Sequence, residues 1–86
     1  MPSRSRIPLP KSNFRAAAES RSLTPREIQV VESIVAGRRN SEIGKILACS
    51  PRTVQKHVQH ILRKLNLATR VNICIWAYES RVDRQK

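Results

Sequence analysis

The sequence is poor in acidic residues, in glycine and in long apolar runs, and each shortage excludes a class of protein. Six Asp and Glu stand against seventeen Lys and Arg, a formal net charge of +11. No apolar stretch reaches the roughly 20 residues that a membrane-spanning helix needs, and the N-terminal residues lack the apolar run of a signal peptide. No glycine-rich phosphate loop is present. We therefore expect a cytoplasmic protein that makes no membrane contact.

Cysteine is scarce as well, and its placement argues against a metal site. Cys49 and Cys74 have no Cys or His partner at zinc-ligand spacing, which fits a reduced, cytosolic setting. Cys49 is interpreted as a small buried apolar residue rather than a redox sensor. His57 and His60 lie at i and i+3 of one predicted helix, but no third ligand accompanies them. We predict no metal and no cofactor.

The short chain and its positive charge together point to a binding protein. With 86 residues the chain has room for one domain with a modest core, and a catalytic cleft between domains is not expected. We therefore predict no catalytic residues, no enzymatic activity and no small-molecule ligand. An excess of positive charge is most easily relieved by a polyanion, and nucleic acid is the first candidate.

Composition divides the chain into three parts. Residues 1–22 are basic and rich in proline and serine, which predicts a largely disordered arm or linker, although Asn13 to Ser20 could form a helical turn or two. Residues 23–80 hold the periodic apolar pattern of a folded domain. Residues 81–86 are predicted to be a frayed tail.

The folded part is predicted to be all-helical, because start and stop signals recur along it. Thr24 and Glu27 form the sequence of a capping box around Pro25, and Ser50-Pro51 repeats the signal of a capping residue followed by proline. Gly37 and Asn66 suit the left-handed conformation that ends a helix. With Asn40 and Thr69 as further N-caps, these signals and the apolar spacing predict helices at 25–36, 41–48, 51–65 and 70–79.

The second and third of these helices form a predicted helix-turn-helix. About three residues separate them, and the second helix of such a pair is the usual reader of the DNA major groove. An inward stripe is expected at Val54, Val58, Ile61, Leu62 and Leu65. Helical rotation then leaves an outward face of Arg52, Gln55, Lys56, Gln59 and Arg63. Glutamine, lysine and arginine can read base edges, whereas the alternative is that these side chains form only a solvated face.

Four stretches of residues together resemble the LuxR/GerE-type helix-turn-helix domain, the output domain of LuxR-type regulators and NarL/FixJ-like response regulators. They are LTPRE at 23–27, the G-x-x-N-x-E-I pattern at 37–43, SPRTVQKHV at 50–58, and ILRKL at 61–65. The sequence departs from the family pattern at Gly44 and Asn66, and residues before Leu23 have no match. The resemblance implies a four-helix transcription-factor domain that binds double-stranded DNA as a homodimer, with RNA polymerase as a further candidate partner.

The resemblance also implies roles for single residues. By position, the base contacts are Gln55, Lys56 and Gln59. The backbone contacts, or the supports of such contacts, are Thr53, His57, Lys64 and Arg70. The predicted dimer interface is a second apolar stripe on helix 70–79, made by Val71, Cys74, Ile75 and Tyr78, and separate from the core face of Ile73, Trp76 and Ala77. The alternative is that both stripes complete a single core.

Two other functions remain open from the sequence. A non-specific nucleic-acid or nucleoid-binding protein would draw its affinity from charge alone. A protein or membrane interaction module would use the helix-turn-helix only as a scaffold. The sequence-specific transcriptional regulator is favoured because the helices carry separate caps and separate inward stripes.

Overall fold

The computed structural model describes the backbone of residues 14–83 and the side chains of residues 14–80. Across these residues the chain is all-helical and contains no strand, which confirms the predicted fold class. The five helices are α1 (Arg15–Ser20), α2 (Pro25–Val35), α3 (Asn40–Leu47), α4 (Pro51–Leu65) and α5 (Arg70–Asp83). The last four correspond to the four predicted helices, and α4 has the predicted bounds.

The capping box predicted at the start of α2 is present. The Thr24 hydroxyl accepts a hydrogen bond from the Glu27 amide at 3.1 Å, and the Glu27 carboxylate accepts one from the Thr24 amide at 2.9 Å. Pro25 occupies the first turn, where its missing N–H costs nothing. The helix ends at Val35, and Gly37 then takes the positive φ of 85° that turns the chain toward α3.

Helix α3 begins one residue earlier than predicted. Arg39 occupies the N-cap position, and its backbone N–H donates to the Glu42 carboxylate at 2.8 Å. The prediction that Asn40 caps this helix was therefore wrong, and Asn40 is its first residue. Because its side chain is not needed as a cap, it is available for contacts with other helices.

The turn between α3 and α4 depends on Gly44. This residue is buried, and a Cβ atom placed on it would lie 2.5 Å from the carbonyl oxygen of Cys49 in the turn. The Cys49 amide donates to the Gly44 carbonyl at 2.8 Å. Gly44 therefore serves close packing, and the nearest backbone that it admits belongs to the turn.

Helix α4 is amphipathic along its whole length. The Ser50 hydroxyl caps it by accepting from the Thr53 amide at 3.1 Å, and Asn66 ends it with a φ of 59°. Four residues of the predicted inward stripe are buried and Leu62 is half-buried. The buried four are Val54, Val58, Ile61 and Leu65. Helix α3 packs on α4, and α2 packs against both α4 and α5. The neighbouring helices therefore hold α4 by its inward side and leave its outward side exposed.

The folded unit includes residues that the sequence analysis assigned to the disordered arm. Phe14 and Ala18 are buried in the core, and the Phe14 ring packs edge-on against Trp76 with ring centroids 6.0 Å apart. Arg15 also forms an ion pair with Glu32 at 3.2 Å. The division at residue 22 was therefore wrong for residues 14–22, which pack as part of the domain.

Both ends of the domain thus differ from the prediction. Helix α5 continues to Asp83, beyond the predicted end at residue 79. The rest of the arm, residues 1–13, and the end of the tail, residues 84–86, lie outside the described residues. None of the described helices combines the length and apolar character needed to span a membrane.

Candidate nucleic-acid interface

The three side chains predicted to read bases are brought together on the outward face of α4. Gln55, Lys56 and Gln59 are exposed, and they lie in the first two-thirds of the helix. Arg52 and Arg63 extend the same face toward the two ends. No Asp or Glu occurs in α4, so the exposed surface is entirely neutral or positive. A helix of this width can enter the major groove of B-DNA.

Thr53 and His57 flank this face near the start of α4. Thr53 is exposed, and its hydroxyl lies 3.1 Å from the Ser50 hydroxyl. His57 is half-buried. Both lie on α4 beside the side chains that are predicted to read bases.

Lys64, also predicted to contact the DNA backbone, is held by contacts within the domain. Its ammonium donates to the Glu27 carboxylate at 2.8 Å and to the Ser22 carbonyl at 3.0 Å. The Glu27 side chain is only 5% exposed. These contacts anchor the last turn of α4 to the start of α2, a structural role that the sequence analysis missed.

Arg70 lies in a similar network at the other side of the interface. Its guanidinium donates to the Asn40 side-chain oxygen at 2.6 Å and to the Arg38 carbonyl at 2.9 Å. The Asn40 amide group in turn donates to the Gln55 side-chain oxygen at 3.1 Å. A chain of hydrogen bonds therefore runs from the start of α5, through α3, to a candidate base-reading residue.

Asn40 was predicted only as a helix cap and not as part of the site. A local pattern contains no information about a partner thirty residues away. The outward position of Gln55 on the following helix was the only available signal, and it does not specify a contact.

The second apolar stripe of α5 is largely exposed. Val71 is 66%, Ile75 is 47% and Tyr78 is 59% exposed, whereas Ile73 and Ala77 are buried in the core. The fourth predicted member of the stripe differs from the other three. Cys74 is half-buried, packs against the core, and its thiol lies 3.8 Å from the Ile34 carbonyl oxygen.

The cysteines and histidines show no arrangement suited to a metal in the part of the chain that the structure describes. Residues 14–80 contain no group of three or more His, Cys, Asp and Glu side chains that could hold an ion. Cys49 is half-buried and packs against the core, in agreement with its interpretation as a small apolar residue. The chemistry offered by the interface is thus hydrogen bonding and positive charge.

Comparison with known proteins relates this chain to a family. The model of the family described as "Bacterial regulatory proteins, luxR family" matches residues 21–77. The nitrate/nitrite response regulator NarL of Escherichia coli is 37% identical over 60 residues, 70% of this chain and 28% of NarL. The transcriptional regulatory protein LiaR of Bacillus subtilis is 34% identical over 61 residues, 71% of this chain and 29% of LiaR.

A further relative is more similar over a shorter segment. A Mycobacterium bovis protein, Mb0914c, whose name assigns it provisionally to the HTH-type transcriptional regulators, is 50% identical over 52 residues, 60% of this chain and 6% of that protein. The chain thus spans less than a third of the length of each of these relatives. No solved structure matches it significantly. The matched segment covers α2 to α4 and most of α5, and the chain belongs to the luxR family of bacterial regulatory proteins.

Proposed function

We propose that this chain is a sequence-specific transcriptional regulator, or the DNA-binding part of one, and that it reads the major groove with α4. The observation that carries the proposal is the two-sided character of α4. Four of its five inward residues are at most 3% exposed, while Gln55, Lys56 and Gln59 on its opposite side are exposed. A helix fixed in this way presents its polar side chains without first having to become ordered.

The contacts divide between bases and phosphates. Gln55, Lys56 and Gln59 provide the hydrogen-bonding groups that distinguish base edges in the major groove. Thr53 and His57 are the proposed backbone contacts at the start of α4. Lys64 and Arg70 use part of their donors within the domain, so they would contact phosphate only with their remaining N–H groups.

Dimerisation through α5 is the second part of the proposal. Val71, Ile75 and Tyr78 form an exposed apolar stripe at helical spacing, and a stripe of this kind is typically covered by a partner. Pairing of two copies about a two-fold axis would place two α4 helices on successive half-sites of an inverted repeat. A homodimer on DNA is therefore the assembly we propose, with a direct repeat as the other arrangement.

Two further predictions follow from the family rather than from a contact in this chain. The cytoplasm, which holds bacterial DNA, is the compartment in which such a regulator works. A contact with RNA polymerase stays a prediction, since the described surface offers no feature that singles it out.

Selection of bound fragments from a random DNA pool, at fixed physiological salt, tests the proposal. We expect a defined motif, with affinity for the selected site about 10³-fold or more above that for random DNA. The Gln59→Ala variant should lose about 1–3 kcal/mol at the selected site and blur one position of the motif. The matched control His60→Ala changes an exposed residue of the same helix outside the proposed contacts and should leave the motif unchanged.

Two outcomes would favour the other functions. Equal affinity for selected and random DNA would indicate a non-specific nucleic-acid-binding protein. Binding to anionic vesicles as strong as binding to DNA would indicate a membrane interaction module. Either result would overturn sequence-specific regulation.

A further inference from the structure

The hydrogen bonds that connect Arg70, Asn40 and Gln55 have a direction that chemistry determines. A guanidinium group has five N–H donors and no acceptor. The atom of Asn40 that lies 2.6 Å from Arg70 must therefore be its side-chain oxygen. The second contact of Arg70, with the Arg38 carbonyl at 2.9 Å, also uses Arg70 as donor and holds the guanidinium in place.

The orientation of Asn40 then determines that of Gln55. Because the Asn40 oxygen faces Arg70, its NH₂ group points to the other side, where it lies 3.1 Å from Gln55. An NH₂ group needs an acceptor, and Gln55 can supply one only by turning its oxygen toward Asn40. The NH₂ group of Gln55 is thereby directed away from Asn40, on the exposed face of α4.

A free glutamine side chain can turn over and present either its oxygen or its NH₂ group. When both groups are available, they can make the two-bond contact with adenine, in which the oxygen accepts and the NH₂ group donates. In this domain the oxygen of Gln55 is turned toward Asn40 and one of its two lone pairs is used there, so the side chain presents chiefly its NH₂ donors to the DNA. The base edges that suit a donor are those rich in acceptors.

We infer that Arg70 and Asn40 are positioning residues that set the base preference of Gln55. This inference rests on the proposed function and makes it more specific. Guanine presents two acceptors in the major groove, N7 and O6, and is the preferred partner of Gln55. Cytosine presents only its N4 amino donor and is the least favoured. Thymine and adenine, with one acceptor each, fall between them.

The substitution Asn40→Asp reverses the direction of the network. A carboxylate accepts hydrogen bonds through both oxygens, so one oxygen keeps the contact with Arg70 while the other faces Gln55. Gln55 must then donate its NH₂ group to that oxygen and present its own oxygen to the DNA. At the position read by Gln55, the preference should move from guanine toward cytosine or adenine, by about tenfold or more in relative affinity.

The experiment is selection from a random DNA pool with the full chain and four variants. Gln55→Ala identifies the motif position that Gln55 reads, because only that position should lose its preference. Asn40→Asp should invert the preference there. Ser41→Asp is the matched charge control: it adds the same negative charge at an exposed neighbouring position and should weaken all sequences equally.

Arg70→Met provides a second test that does not depend on the fold of the Asp variant. Without the guanidinium donor, the Asn40 amide can take either orientation, and Gln55 follows it. The preference at the same position should then broaden to accept cytosine and adenine, while other positions keep theirs. Far-UV circular dichroism and thermal unfolding of each variant show whether the domain is intact.

The outcomes separate this inference from the function on which it rests. If the unmodified chain selects no motif, sequence-specific binding fails and the inference fails with it. If it selects a motif but prefers cytosine at the Gln55 position, or keeps its preference unchanged in both Asn40→Asp and Arg70→Met, the regulator stands and the inference is overturned. Inversion in the first variant and broadening in the second support it.

Discussion

The ammonium of Lys64 lies 2.8 Å from the carboxylate of Glu27, and this ion pair joins the last turn of α4 to the first turn of α2. The same carboxylate accepts the Thr24 amide at 2.9 Å, so a single side chain both caps α2 and anchors the candidate recognition helix. Glu27 is the one charged residue among those described that is buried, and its contacts explain how it is tolerated there.

Stability should depend on the ionisation of Glu27. Burial raises the pKa of its carboxyl, but the hydrogen bond from Lys64, those from Thr24 and the attraction of the ammonium outweigh burial, so the pKa lies below its usual value of 4.5. A carboxyl with a lower pKa in the folded state stabilises the fold above its unfolded pKa, and this contribution is lost as the pH falls toward the folded value.

We therefore expect the urea midpoint of the domain to fall as the pH is lowered below about 4.5. The Glu27→Gln variant, which keeps an acceptor for the cap but loses the titrating group, should show a weaker dependence. Glu19→Gln, at an exposed position, is the control and should behave as the unmodified chain does. Identical pH profiles for the unmodified chain and Glu27→Gln would contradict this account.

Removing the partner of Glu27 should destabilise the domain at neutral pH. Lys64→Met leaves a nearly buried carboxylate without its ion pair, which should cost about 1–3 kcal/mol of unfolding free energy. Arg63→Met, the same change at the exposed neighbouring position, should alter stability by less than about 0.5 kcal/mol. Chemical denaturation followed by circular dichroism measures both. Equal losses would mean that the ion pair contributes little.

The docking of α1 should contribute to stability although it precedes the segment matched by the family. Phe14 is 2% exposed, and Phe14→Ala should cost about 3 kcal/mol, near the lower end for a buried phenylalanine because a short helix such as α1 can relax around the change. Phe14→Leu keeps an apolar side chain in the same place and should lose less. Urea denaturation tests the pair, and a Phe14→Ala variant as stable as the unmodified chain would mean that α1 packs without stabilising.

Gly44 should not tolerate even the smallest side chain. The Cβ of alanine would lie 2.5 Å from the Cys49 carbonyl oxygen, a backbone atom that can move only if the turn moves. Although alanine favours helix by up to about 1 kcal/mol, we expect Gly44→Ala to destabilise the domain by about 1–3 kcal/mol. Ser41→Ala, on the exposed side of α3, should be close to neutral. A stabilised Gly44→Ala variant would contradict the close contact.

The exposed stripe of α5 gives a prediction for assembly. Ile75→Glu should abolish self-association in sedimentation equilibrium. It should also weaken binding to DNA that carries two half-sites by about 10²-fold, because the copy on the second half-site is no longer joined to the copy on the first. Binding to a single half-site should be unchanged. Ile46→Glu places the same charge on another exposed isoleucine and should affect neither property. Loss of both kinds of binding in Ile75→Glu would indicate damage to the fold.

The sequence predicts α4 well because the signals that define it are local. Ser50-Pro51 sets its start, Asn66 sets its end, and the spacing of Val54 and Val58 determines which face is buried. The exposed positions of Gln55, Lys56 and Gln59 follow from the same spacing. These features need no knowledge of the rest of the chain.

Three features that sequence reasoning missed depend on contacts between distant residues: the docking of Phe14, the ion pair of Lys64 and the hydrogen bonds of Asn40. Phe14 gains its place in the core from Trp76, at the other end of the chain, so the segment around it resembles a linker when taken alone. The same holds for Lys64, because no local pattern indicates its ion pair with Glu27, 37 residues away. Only the folded arrangement could reveal such pairs.

Because Phe14 packs edge-on against Trp76, the fluorescence of this tryptophan can report whether α1 is docked. Trp76 is the only tryptophan, and α5 carries it on the same helix as the exposed apolar stripe. Its emission spectrum should shift to the red when α1 leaves the core, because the indole then meets water. Fluorescence without any attached dye can thus follow whether α1 stays docked while DNA is titrated in.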